Sequence, residues 1–306
     1  MKRTVLIILF VLSCVSIQAQ NNSVFLPFNQ YMFNTLMYNP AYAGAKESLS
    51  ATLMYRKQWI GMKGTPEMFA LTGHTPLRNN KIAVGFHIDN LSAGAGAERS
   101  NNMFLYYSYR FLAGPGKLSL GLRAGGSLIS KSLLDVERKV TDDPAFVDES
   151  FFLPNFGAGA YYYTNRFYAG VSVPFFLCSN DTIRKISHDV KRYNFTGTAG
   201  VLFTLSENFK IKPSGYIQYT FDNPVLYYLS ASFITLKDAL SLTGSYKSTG
   251  EIISIIEFQI NKQLRLGYSY DFSVGNLKGY MSGSHEIMLR YDLSYAVRAT
   301  SPGYFW

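Results

Sequence analysis

Few residues in this chain of 306 could carry out acid–base, nucleophilic or metal chemistry. Its four histidines are His74, His87, His188 and His285. The last of them lies between a hydroxyl and a carboxyl group, in the sequence Ser284, His285, Glu286. Successive side chains of a strand point to opposite faces, so these three neighbours cannot form a Ser-His-acid relay by themselves. A hydrolase would have to assemble its relay from several strands.

The sequence contains no motif for catalysis or for a bound cofactor. The nucleophile elbow G-x-S-x-G, the zinc motif H-E-x-x-H and a phosphate-binding glycine loop are all missing. The acidic residues between 133 and 152 lack the D-x-D-x-D-G spacing of a calcium loop. They are Asp135, Glu137, Asp142, Asp143, Asp148 and Glu149. We therefore expect no enzymatic activity, no cofactor and no metal site.

The elements that must position any site are β-strands. Residues 261–295 contain two runs in which apolar and polar residues alternate, separated by a glycine-containing connection. Alternation over about ten residues, with aromatic residues near both ends, fits a strand that crosses an outer membrane. A soluble sandwich is the alternative, because it would bury the same apolar face against a second sheet. The apolar parity holds Leu264, Leu266, Tyr268, Tyr270 and Phe272, then Ile287, Leu289, Tyr291, Leu293 and Tyr295.

The same alternation recurs along the chain and predicts about 14 strands, an even number of the kind that bacterial barrels have. Every second gap between strands is short, whereas several of the others are long, notably 130–154, 175–192 and 273–283. Short periplasmic turns and longer outward loops produce this pattern in an all-β, transmembrane, antiparallel up-and-down β-barrel. The predicted strands are 46–57, 67–75, 81–90, 99–112, 117–129, 155–163, 167–174, 193–205, 209–220, 225–235, 239–248, 251–260, 263–272 and 284–295.

The ends of the chain lie outside this predicted barrel. A basic start, an apolar run and small residues up to Ala19 form the pattern of a cleaved secretory signal, and lipidation of Cys14 is the alternative. The stretch that follows fits neither helix nor strand, and Pro40 suggests a turn-rich periplasmic lead-in or plug. The predicted divisions are a signal peptide at 1–19, the lead-in or plug at 20–45, the barrel at 46–295 and a C-terminal tail at 296–306, with both termini periplasmic.

Composition favours an exported membrane barrel over a nucleic-acid-binding protein. The chain has 23 Tyr and 23 Phe, and aromatic residues both form strands and populate the girdles at lipid interfaces. The formal charge of +9 is dispersed, and an exported chain does not meet nucleic acid. Basic residues near the turns are expected to contact anionic membrane lipid.

The polar parity of the strands predicts a charged barrel interior. We interpret this set as a salt-bridged filling that fixes the shape of the barrel, with a solute pathway as the alternative. The candidate network consists of Arg110, Arg123, Arg265, Asp271, Glu286, Arg290 and Asp292.

Two outward loops are candidates for binding a partner. Their apolar residues would either anchor a partner or belong to the upper aromatic girdle. The candidates are Trp59, Ile60, Gly61 and Met62 in the first loop and Asn276, Leu277 and Tyr280 in the last.

Five stretches together resemble the PorP/SprF family of outer-membrane proteins of the type IX secretion system. They occur in the order of the family and extend over nearly the whole mature chain. The stretches are FNQYMFN at 28–34, NPAYAG at 39–44, RKQWIG at 56–61, GYSYD at 267–271 and GSHEI at 283–287.

The resemblance implies a non-enzymatic outer-membrane protein. It also implies partners: the C-terminal region of a secreted surface protein, such as an adhesin of gliding bacteria, whose export or surface attachment the barrel assists. A periplasm-facing link from the secretion machinery to peptidoglycan-binding proteins is a second implied role. A small-solute channel remains the alternative from the polar interior alone.

Overall fold

The computed structural model describes residues 28–77, 80–132, 149–179, 186–187, 189–221, 223–274 and 282–293. Within these ranges no helix has the length and apolar character needed to cross a membrane. The long strands are β1 (Leu49–Lys57), β2 (Glu67–Pro76), β3 (Ile82–Ala93), β4 (Glu98–Ala113), β5 (Gly116–Lys131), β6 (Glu149–Tyr163), β7 (Phe167–Val173), β8 (Phe195–Val201), β9 (Lys210–Tyr219), β10 (Leu226–Thr235), β11 (Leu240–Lys247), β12 (Glu251–Gln259), β13 (Leu264–Ser273) and β14 (Ser284–Leu293).

The 14 strands form one closed antiparallel barrel. Each strand pairs with its neighbour in sequence, and Phe203–Thr204 extends β8 along β9. The first and last strands close the barrel, with Leu49 opposite Leu293 and Lys57 opposite His285. Closure leaves no open sheet edge around the ring of paired strands, which a membrane-spanning sheet requires. The predicted fold class is confirmed.

The barrel is apolar outside and polar inside, the reverse of a soluble protein. On β1, Leu53 and Tyr55 are exposed, whereas Met54 and Arg56 on the opposite face are buried. Along the other strands, exposed apolar residues likewise alternate with buried residues, many of which are polar. Lipid therefore solvates the outer face, and the inner face needs polar partners of its own.

The two rims of the barrel differ in the length of their connections. We call the loop rim the end with connections 58–66, 94–97, 132–148, 174–194, 220–225, 248–250 and 274–283. The turn rim carries the connections 77–81, 114–115, 164–166, 205–209, 236–239 and 260–263, together with the start of β1 and the end of β14. All connections of the turn rim have two to five residues, so tight turns join the strands at this end.

A segment preceding β1 lies inside the barrel. We call residues 28–48 the lumenal segment; it contains three short 3-10 turns, Tyr31–Phe33, Thr35–Met37 and Pro40–Tyr42. Proline at the first position and the Asn39 side chain, which accepts from Ala41 N–H, start the third turn. Nearly all of its residues are buried, and they contact inward side chains from opposite walls. A 14-stranded wall is too wide for its own side chains to fill, and this segment occupies the space.

Glycines on the inner wall let the lumenal segment approach closely. A Cβ added at Gly121 of β5 would collide with the backbone nitrogen of Ala41. We expect Gly121→Ala to lower the free energy of unfolding by about 1–3 kcal/mol, because backbone cannot move aside as a flexible side chain can. Gly244→Ala is the matched control, since an added Cβ there meets nothing within 4 Å. Urea unfolding of both variants in detergent checks this; equal midpoints would contradict it.

Candidate functional site

The lumenal segment is held near the loop rim by a cluster of buried charges. The Arg56 guanidinium lies 3.0 Å from an Asp271 carboxylate oxygen and 3.2 Å from one of Glu286. The backbone N–H groups of Asn29 and Gln30 each donate to Glu286 at 2.9 Å. The Asn29 side-chain amide also donates to Asp271 at 2.5 Å. We call these five residues the clamp.

Strand pairing brings the three charged members of the clamp together. Arg56 is directly opposite Glu286 on β1 and β14, and both side chains share the inward parity. Asp271, which pairs with Ser284, enters from β13. Two carboxylates face one guanidinium, so the backbone and amide donors of the lumenal segment supply the remaining hydrogen bonds. The clamp therefore fixes the segment as well as the wall.

A second charged group anchors the other end of the segment at the turn rim. Lys46 donates to both carboxylate oxygens of Asp292, at 3.0 and 2.9 Å. Ser50 donates to the same carboxylate at 2.6 Å, and Arg290 Nε lies 3.2 Å from it. Glu47 lies beside Lys117 and Arg110 of the wall. The lumenal segment is thus tied by ion pairs at both of its ends.

Between these ends, the wall hydrogen-bonds to the backbone of the segment. Arg123 donates to Met37 O at 3.2 Å and is stacked between Phe104 and Phe175, whose ring centroids lie 4.0 and 4.1 Å from its Cζ. Such stacking stabilises a buried guanidinium without a carboxylate partner. Ser108 donates to Ala43 O at 2.8 Å. These contacts satisfy carbonyl groups that have no partner in a regular helix or sheet.

The interior of the segment is tightly packed. The Tyr38 hydroxyl accepts from the Phe28 backbone N–H at 2.8 Å, and burial raises the pKa of this phenol well above its usual range. A cavity between Tyr31, Tyr216 and the β7–β8 wall encloses about 10 Å³, room for about one water molecule.

The residues proposed for a lumen network all face inward. Arg110, Arg123, Arg265, Asp271, Glu286 and Arg290 are buried, and Asp292 is partly buried. Asp271 and Glu286 share the clamp, Arg290 and Asp292 share the turn-rim group, and Arg265 lies 3.5 Å from Glu257. Whether they work as one network stays a prediction.

Sequence reasoning missed the lumenal partners of these residues. Arg56 has the inward parity of β1, a signal that could have identified it. Lys46 has the inward parity of the predicted strand 46–57, as Arg56 has. Asn29 and Gln30 carry no such signal, because the residues around them have neither the helical nor the strand period.

At the loop rim, the connection 58–66 is joined to the residues that directly precede β14. Ile60 N–H donates to Gly283 O at 2.8 Å and Ser282 N–H donates to Ile60 O at 3.1 Å. Trp59 N–H donates to the Ser284 hydroxyl at 3.3 Å, and Trp59 adopts a positive φ of 49°. Trp59 and Ile60 are half-buried, whereas Gly61 and Met62 are exposed. The candidates Asn276, Leu277 and Tyr280 lie outside the described residues.

The histidines within the described ranges do not form a relay. His285 points to the outer face, where its Nδ1 lies 2.5 Å from the Tyr268 hydroxyl, while Ser284 and Glu286 point inward. His87 Nε2 lies 2.8 Å from Asp89, and His74 accepts from Gly44 N–H. The described part of the chain contains no group of three His, Cys, Asp or Glu residues placed to bind a metal.

A closed barrel with an apolar exterior and a charged, filled interior defines an outer-membrane β-barrel protein. The CymD monoaromatic hydrocarbon channel is 12% identical with a TM-score of 0.52, covering 90% of this chain and 95% of the channel. Omp33 of Acinetobacter baumannii is 8% identical with a TM-score of 0.48, covering 81% and 97%. The toluene transporter TbuX of Ralstonia pickettii is 9% identical with a TM-score of 0.48, covering 84% and 92%. At these identities only the fold is shared.

The sequence identifies the family within this class. The family described as type IX secretion system membrane protein PorP/SprF matches residues 18–291. The chain therefore belongs to the PorP/SprF family and is an outer-membrane barrel associated with type IX secretion. A comparison with curated proteins gives no significant match.

Proposed function

We propose that this barrel is a non-enzymatic anchor, which holds a large secreted partner such as a gliding adhesin at the cell surface through the partner's C-terminal region. In this proposal the turn rim and both termini face the periplasm, and the loop rim faces outward. The joined first and last loops, with exposed Met62 and half-buried Trp59, form the surface that binds the partner. Membership of the type IX secretion family supports the choice of a secreted protein as partner.

The single observation that favours an anchor over a channel is the filled lumen. Charged groups tie the lumenal segment at both ends, and the wall approaches its backbone too closely at Gly121 to admit another atom. A solute pathway would have to displace ordered backbone and a buried ion cluster. A periplasmic link to peptidoglycan-binding proteins is compatible with the same barrel, since it would use the turn rim.

Partner retention at the loop rim can be tested directly. We expect Trp59→Ala combined with deletion of 275–281 to reduce the amount of partner bound by about tenfold, as loss of an aromatic anchor typically does. Affinity purification from detergent-solubilised outer membranes, followed by quantitative mass spectrometry, measures this. The control is Lys237→Ala, a substitution at the turn rim. Unchanged retention in the loop variant would eliminate the loop-rim surface as the binding site.

The anchor and the solute channel predict different currents across a membrane. The purified full chain should give no conductance steps in a planar bilayer, because the lumenal segment fills the interior. Steady single-channel currents from the unmodified protein would favour the solute channel over the anchor.

A further inference from the structure

Two buried arginines lie directly opposite each other on the inner wall near the turn rim. Arg265 of β13 pairs with Arg290 of β14, and both side chains face the lumen. Arg265 is 4% exposed and Arg290 is 1% exposed. Like charges directly opposite on a sheet repel each other, and the repulsion is stronger where water does not screen it. The pair therefore needs negative charge close by.

Arg290 shares a carboxylate with a second cation. Its Nε lies 3.2 Å from Asp292, but that carboxylate also accepts two hydrogen bonds from Lys46 and one from Ser50. The Nη1 group of Arg290 is buried and has no hydrogen-bond partner in the part of the chain that the structure describes. An unmade hydrogen bond at a buried charged donor is costly, so this N–H group is a candidate to bind a ligand.

The lumenal segment brings a second unpaired polar group to the same region. The Tyr42 hydroxyl, on the third 3-10 turn, is buried and has no hydrogen-bond partner among the described residues. It lies within electrostatic range of Arg290. A hydroxyl can turn its O–H toward an acceptor. The wall and the lumenal segment therefore each offer a donor beside the arginine pair.

The balance of charge decides which kind of ligand fits this region. Lys46 and Lys212 are buried and lie within electrostatic range of both arginines. The group holds four cations and two carboxylates, namely Lys46, Lys212, Arg265 and Arg290 against Asp292 and Glu257. A cationic ligand would be repelled and a neutral one would leave the excess positive charge uncompensated, whereas an anion reduces it.

We propose that Arg265 and Arg290 hold a small inorganic anion of the size of chloride, to which the Arg290 Nη1 group and the Tyr42 hydroxyl donate. The ion compensates the excess charge and links the lumenal segment to the wall at the turn rim. A guanidinium suits this role because it presents several N–H donors and stays charged. Because all three side chains are buried, a small ion fits better than a bulky organic anion. The site does not depend on the proposed anchor role.

The test measures thermal unfolding of the purified full chain in detergent, with chloride exchanged for gluconate at constant ionic strength. Gluconate is too bulky for the site, and equal ionic strength keeps general charge screening the same. We expect chloride to raise the midpoint temperature of unfolding by about 4 °C, because an ion that binds only the folded chain stabilises it. Equal midpoints in the two salts would overturn the proposal.

Point variants locate the site. Tyr42→Phe removes a hydroxyl that has no partner within the described ranges, so the chain should fold while chloride binds about tenfold more weakly. Arg290→Met should abolish the chloride-dependent shift. Lys262→Met is the matched control, because it removes an exposed cation from the turn before β13 and should keep the full shift. A full shift in Tyr42→Phe, or in folded Arg290→Met, would contradict the assignment.

Bromide shows the position of the ion directly. Anomalous diffraction from crystals of the full chain grown with bromide should give a peak within hydrogen-bond distance of Arg290 Nη1 and the Tyr42 hydroxyl. Bromide peaks on the protein surface alone would mean that the lumen holds no such ion. Neither measurement involves a secreted partner, so failure of this site and failure of the anchor role are distinguishable.

Discussion

Replacing Arg56 with alanine should lower the free energy of unfolding by about 3–5 kcal/mol, the usual cost of removing one partner from a buried ion pair. The substitution leaves Asp271 and Glu286 buried together without their cation, and both also hold the lumenal segment through Asn29 and Gln30. Urea unfolding in detergent, followed by tryptophan fluorescence or gel mobility, measures the change.

The neighbouring residue provides a matched control. Lys57 forms an ion pair with Glu67 on the outer face, but its side chain is 46% exposed, so Lys57→Ala should change stability little. Adding Asp271→Asn and Glu286→Gln to the Arg56→Ala variant should recover part of the loss, since neutral amides do not require the cation. Equal unfolding midpoints for Arg56→Ala and Lys57→Ala would show that the clamp does not hold the fold.

Deleting residues 28–46 is expected to convert an electrically silent barrel into a conducting one. A barrel with 14 strands is wider than the eight-stranded barrels that wall side chains can fill, so removal of the segment should leave a water-filled passage. Planar-bilayer recording of the refolded deletion variant tests this expectation, and a silent, folded variant would contradict it.

The net charge of the inner wall predicts which ions the open passage of the deletion variant conducts. The buried cations of the strands outnumber the buried anions, so the open passage should prefer anions and its reversal potential should move accordingly in a salt gradient. The cations are Arg56, Arg110, Arg123, Lys212, Lys247, Arg265 and Arg290, and the anions are Asp89, Glu257, Asp271 and Glu286.

A point variant tests whether loosening the lumenal segment is enough to open the passage. Glu286→Ala keeps the segment in the chain and removes the acceptor for two of its backbone N–H groups. We expect brief openings from that variant and none from Lys57→Ala.

The barrel could be predicted from the sequence because lipid on one face of each strand imposes an alternation of apolar and polar residues with a period of two. Every strand crosses the same apolar layer, so Leu264, Tyr268 and Ile287 had to share the outward face whatever surrounded them. The alternation of short and long gaps identified the turn rim for the same reason, since consecutive strands must return across the same membrane. Strand limits were less certain near the loop rim: β6 begins at Glu149, although alternation predicted a start near residue 155. Phe151, Phe152 and Leu153 are apolar on both parities, so alternation gives no signal there.

The conformation of the lumenal segment could not be predicted in this way. Residues 28–48 have no helical or strand period, because their shape is set by the wall around them and not by a repeating solvent boundary. The sequence suggested a lead-in or plug from Pro40, but it could not place Asn29 against Glu286, 257 positions away. Arg56, Asp271 and Glu286 come together beside that segment only when β14 pairs with both β1 and β13.

By itself, therefore, the sequence determined the barrel, its strand number, its inward charges and its family, all of which follow from local alternation or from residues in fixed order. The tertiary structure alone decided which charges meet and what fills the lumen. Both features depend on contacts between residues far apart in the chain, which local sequence patterns do not predict.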